Sequence, residues 1–157
     1  MARVKCGART GAMSVAANLT KTLLQLLAPT NQGVAWKRAS ISSEGVTATD
    51  KPNVVQILKQ TDAGTGGQAV TETVLTAPKG TAPTPQSTAL AGIWGTTEPS
   101  ASDIIFEKYV HPQSGFEYVW QQAEDEWPYF NERYAIRVIT PTGNATANFI
   151  ADLEWEE

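Results

Sequence analysis

The sequence predicts an all-β domain, a β-sandwich of jelly-roll-like kind. Three observations carry that expectation: short stretches with a two-residue apolar period, turn clusters of Pro, Gly, Asn and Asp between them, and a well-patterned strand running almost to the last residue. In ATANFIADLEW near the C-terminus, Ala147, Phe149, Ala151, Leu153 and Trp155 fall on one face, while Asn148, Asp152 and Glu154 fall on the other.

Taken in order, residues 1–13 carry Arg3, Lys5 and Arg9 and no acid. Gly7, Ala8, Gly11 and Ala12 lie among them, so the stretch reads as a flexible N-terminal arm, disordered until it binds something. The single globular domain is expected over residues 14–157. Residues 14–28 suit strand or helix; Pro29 and the β-rich surroundings favour strand. VAWKRASIS at 34–42 and NVVQILKQT at 53–61 follow as strands. From about 62 to 102 Gly, Pro, Thr, Ala and Ser dominate, which predicts a long excursion rather than sheet, with VTETVL at 70–75 as a short strand inside it. Trp94 in this excursion is either tucked back onto the core or an anchor at a partner surface. DIIFEKYVH at 103–111 and FEYVWQQ at 116–122 are strands around a turn at 112–115. Residues 134–139, apolar on both faces, predict a central strand. Through the turn 141–144 they are expected to form an antiparallel hairpin with the last strand.

Composition narrows the function. With 157 residues, 41% hydrophobic and 18% charged, the chain is an ordinary globular domain, and its net charge of −4 disfavours nucleic acid as the main partner. Subtracting the arm's +3 from that total leaves −7 on the remainder, so the arm suits an acidic partner surface. No apolar run reaches the ~18 residues of a membrane helix, and Asn18, Thr20, Lys21 and Gln25 interrupt the N-terminal apolar stretch that a signal peptide would need. One cysteine, Cys6, and one histidine, His111, exclude an internal disulfide or a Cys/His zinc site. No phosphate-binding glycine loop or nucleophile–base set is present, so neither a cofactor nor an enzymatic activity is expected. The acidic run Glu124, Asp125, Glu126 reads as a solvated loop.

The stretches KTLLQLLAPTNQGVAWKRASIS, SEGVTATDKPNVVQILKQTDAGTGG, TEPSASDIIFEKYVHPQSGFEYVW and NFIADLEWEE together resemble the capsid decoration, or cement, proteins of tailed bacteriophages. That resemblance implies a structural protein on the outside of a virion, made in the host cytoplasm, whose partners are the major capsid protein and further copies of itself as a homotrimer. Arg3, Lys5, Arg9 and Trp94 are then the candidate contact residues. The alternative is a carbohydrate- or receptor-binding β-domain, for which Trp120, Trp127, Tyr129 and Phe130 would stack on sugar rings. A hydrolase on a jelly-roll scaffold is disfavoured by the single histidine.

Overall fold

The computed structural model describes residues 4–44, 47–76, 83–92, 94, 97–121 and 131–157. Among these residues there are twelve strands and no helix. They are β1 (Lys5–Arg9), β2 (Met13–Val15), β3 (Thr20–Leu27), β4 (Ala35–Glu44), β5 (Asn53–Gln60), β6 (Gln68–Ala69), β7 (Thr73–Thr76), β8 (Thr88–Ala91), β9 (Ala101–Val110), β10 (Phe116–Val119), β11 (Arg133–Ile139) and β12 (Ala147–Glu156).

Two antiparallel sheets pack face to face. One, sheet A, runs β10-β4-β12-β1-β7, with β2 also on β12; the other, sheet B, runs β6-β8-β3-β11-β5-β9. Without β6, β7 and β8, the orders are β1/β2-β12-β4-β10 and β3-β11-β5-β9. With β1 and β2 taken as one broken strand, every connection in that set except β5 to β9 crosses between sheets, which is jelly-roll topology. The expected sandwich is therefore the observed one.

Alternation makes this possible. On β12 the residues Ala147, Phe149, Ala151, Leu153 and Trp155 are all buried, and the intervening ones are not. This last strand is the middle of sheet A, held by β4 on one side and by β1 and β2 on the other. Its inward residues meet Leu24, Leu26, Ile57, Ile136 and Val138 from sheet B in one core. Each fully buried Leu, Ile or Phe contributes ~1.5–3 kcal/mol. Where the two sheets part between β9 and β10, stacked rings fill the gap: Phe106 lies 5.5 Å from Phe116 and 4.8 Å from Tyr118, and Tyr118 lies 4.7 Å from Trp120.

Three expectations need correction. First, Lys5–Arg9 is not a free arm but strand β1, paired with β12 and with β7. Its small residues concealed a two-residue period: Cys6 and Ala8 face the core, while Lys5 and Arg9 face out. At Thr10 the backbone N–H donates to Ala151 O at 2.9 Å, and the hydroxyl accepts from Ala151 N at 2.9 Å, so the ladder continues across the break before β2. Second, β11 and β12 do not form a hairpin, because β11 lies between β3 and β5 in sheet B. A turn at 141–144 reverses the chain in either case; here it carries the chain across the sandwich. Third, the excursion holds more sheet than the one short strand expected at 70–75, which appears as β7 over Thr73–Thr76. β7 extends sheet A beyond β1, and β8 with β6 extends sheet B beyond β3.

Candidate interaction surfaces

The outer face of sheet A is a charge lattice. Lys5 Nζ lies 2.6 Å from Glu154 Oε2, and Arg38 Nη1 lies 3.1 Å from Glu154 Oε1. Arg38 Nε also pairs with Glu117 at 3.1 Å, and Arg9 Nε with Asp152 at 3.3 Å. The registry of β1, β12, β4 and β10 brings these groups together, since alternate residues of each strand share a face. Hydrogen bonds from Lys5 first, and then from Arg38, hold the Glu154 carboxyl below its ordinary pKa. Beside this lattice lies a groove of about 210 Å³ over Gly7, walled by Leu75 and Thr73 of β7. A Cβ at Gly7 would sit 3.0 Å from Cδ1 of the exposed Leu75, which would have to give way to it.

The candidate contact residues separate on this structure. Arg3 lies outside the described residues. Lys5 and Arg9 are brought together on one face, but their charges are already matched by β12 carboxylates. Trp94 is a buried ring, 1% exposed, whose Nε1 donates to Ala63 O at 2.7 Å, so it cannot anchor a partner. Gly64 and Gly67 make room for it: a Cβ at either would come within 2.6 Å and 2.8 Å of the indole. Trp120 is buried too, edge-on to Trp36 at 5.6 Å, and does not present a sugar-stacking face. Trp127, Tyr129, Phe130 and the acidic run at 124–126 lie outside the described residues.

Reactive groups are quiet. Burial, followed by the Glu157 carboxylate, pushes the Cys6 thiol up to about 12, the opposite of what a basic arm would have done. His111 Nδ1 accepts from the backbone N–H of Gln113 at 3.2 Å, and its Nε2 lies 3.3 Å from Ala48 O, which ties two loops at one end of the sandwich. At that same end Asn144 accepts from Lys51 N at 2.9 Å and donates to Lys51 O at 2.8 Å, beside a hydroxyl-rich cleft of about 400 Å³ that includes Thr47, Thr49, Thr142 and Asp50. Among the described residues no group of three or more His, Cys, Asp or Glu is placed to hold a metal ion.

Sequence reasoning missed the outer face of sheet B. Its outward residues form rows across β9, β5 and β11: Tyr109–Val54–Ile139, Glu107–Gln56–Arg137 and Ile104–Leu58–Ala135. The excursion covers part of this face. Gln25 donates to Asp62 O at 3.0 Å and to Gln60 Oε1 at 2.6 Å, Gln60 donates to Thr22 Oγ1 at 2.9 Å, and Glu98 accepts from Thr22 N at 2.9 Å. Beyond that cover, Tyr109 is 69% and Ile104 53% exposed. The available signal was the two-residue spacing of Glu107 and Tyr109 on β9, but only the strand order shows what lies beside them.

Comparison with family models, with curated proteins and with solved structures gives no match.

Proposed function

We propose that this protein is a structural virion protein. It binds the outer surface of a tailed-phage capsid and stabilises contacts between major capsid subunits. The observation that carries the reading is the resemblance of four sequence stretches to capsid decoration proteins, taken with where those stretches lie. They supply β3, β4, β5, β9, β10 and most of β12, which are strands of both sheets. A resemblance spread over both sheets is more informative than one confined to a single hairpin. In this reading the rigid sandwich presents flat outer faces to several shell subunits at once. Because such contacts exist only on an assembled shell, their free energy favours the assembled state alone. Repetition over the lattice multiplies weak contacts into a large total.

The contact surface is then the outer faces of the sheets, not a basic arm. Purified protein mixed with assembled shells of its own phage should pellet with them, and should stay in solution with dissociated capsid subunits. Protein that remains in the supernatant with intact shells would remove the proposal. The carbohydrate- or receptor-binding alternative now rests on the hydroxyl-rich end cleft at Thr47, Thr49 and Thr142. Specific retention on a glycan array, lost on changing Asp50 to Ala, would favour it.

A further inference from the structure

On the outer face of sheet B, the part that includes exposed Glu107 and Tyr109, with Gln56 buried between its neighbours, matches itself. Glu107 on β9 and Arg137 on β11 stand on either side of Gln56 on β5, in one row across three strands. Each is therefore ~4.8 Å from β5. Arg137 donates to Gln56 Oε1 from Nε at 2.9 Å and from Nη2 at 2.7 Å. Gln56 Nε2 in turn donates to Glu107. Among the described residues Arg137 makes no ion pair, although it is half-buried. In the neighbouring row Tyr109 and Ile139 likewise stand on either side of Val54.

From this arrangement we infer that a second copy of this chain docks face to face on the outer side of sheet B, with Glu107 of each copy reaching Arg137 of the other. A two-fold axis parallel to the strands and passing over Gln56 sets β9 of one copy above β11 of the other. Glu107 then faces Arg137 twice, Tyr109 covers Ile139 twice, and Val54 meets Val54. Stacked sheets stand ~10 Å apart, a gap that an arginine and a glutamate span together. The apolar row is sealed from water at the same time, and an exposed tyrosine gains a partner surface. The charges explain why a second copy fits better than an unrelated chain. In the row through Gln56 the face carries one acid and one cation at equal distances from its middle strand, which is the pattern an isologous contact requires.

Burial lowers the Arg137 pKa despite the nearby Glu98 and Glu107 carboxylates, as expected of a cation short of direct counter-ions. The dimer is weak, because Gln56, Leu58 and Ala135 are already buried and little of the face is left open to a partner. This contact is two-fold, unlike the trimer that the family resemblance implies. It does not rest on the capsid reading, and it leaves the outer face of sheet A for a shell.

Sedimentation velocity over concentrations up to about 1 mM, where associations near −4 kcal/mol become visible, tests the inference. The expected result is a reversible monomer–dimer equilibrium. Tyr109→Ser and Glu107→Arg should each weaken it at least tenfold. Both positions are exposed, so they test the face even if Arg137→Glu fails to fold. If Arg137→Glu folds, it too should be monomeric, and mixing it with Glu107→Arg should restore association as a heterodimer with one native and one reversed charge pair. A monomer at every concentration, a trimer, or dimers indifferent to Tyr109→Ser and Glu107→Arg would overturn the inference. So would a mixture of folded charge-reversed variants that associates no better than its components.

Discussion

Glu154 is the residue on which the lattice of sheet A turns, since it receives both Lys5 and Arg38. Its lowered pKa gives the pH dependence a definite sign. The stabilisation is complete above the unfolded-state value of about 4.3 and is lost as pH falls through the lower folded-state value. Glu154→Gln should cost ~1 kcal/mol at neutral pH, the upper range for partly exposed pairs. That corresponds to a melting temperature lower by roughly 2–4 °C for a chain of this size. In acid, the melting curves of variant and parent should converge. A gap that persists at low pH would mean that packing, not charge, is responsible. Cys6 offers a second residue-scale check. A buried thiol raised to about 12 should ignore a disulfide reagent at pH 8 in the folded protein and react at once in denaturant. Trp94→Ala should cost ~3–5 kcal/mol in urea unfolding, because it empties a site that two glycines are shaped around. Gly64→Ala should also destabilise, since its φ is +63° and its Cβ would lie 2.6 Å from Thr97 O.

Among elements, β1 and β9 are the informative cases. Deleting residues 2–12 removes β1 from between β12 and β7. Such a chain should be insoluble or lack a cooperative melt by near-ultraviolet circular dichroism. Survival with an unchanged melting temperature would mean that β1 is dispensable. The alternation on β12 was legible because large apolar residues mark it. That on β1 was hidden because Cys6 and Ala8 are small and Gly7 lies between them, so composition spoke louder than period. Periodicity also identifies a strand without naming its neighbour, which is why Tyr134–Ile139 was recognisable as central while its supposed pairing with β12 was not. The strands β6–β8 are two to four residues long, too short for a period to emerge from Thr- and Ala-rich sequence. As for the candidate site, the arm cations were visible in the sequence, but their partners on β12 lie some 150 residues away and become neighbours only in the folded sheet. Ten-residue β9 is paired only with β5 among the described residues, and a long open edge invites further strands. Register shifts on either side of Ile104 interrupt it, and Lys108, opposite Val55, places its Nζ 5.6 Å from the Phe116 ring centroid. Lys108→Val should therefore increase light scattering on storage at high concentration, whereas a silent variant would leave the bulges as the sufficient guard.

At the scale of the molecule, the two ends of the described chain are tied together: Val4 N–H donates to Glu157 O at 2.9 Å, and Glu157 N–H to Val4 O at 3.1 Å. With nearly every connection crossing between sheets, neither sheet can melt alone, so fluorescence and circular dichroism should report one coincident unfolding transition. Separate transitions would indicate that the excursion unfolds on its own. Pairing between such distant segments also makes folding slow relative to helical proteins of this size. The position of β12 has a consequence for biosynthesis. Until residues 147–156 clear the ribosome, β4 and β1 have no strand to separate and join them, and the emerging polypeptide carries two vacant edges that await the same late arrival. Folding of sheet A thus waits on that strand, and the nascent chain depends on chaperones, or on speed, to keep those edges from finding each other's counterparts on neighbouring nascent chains.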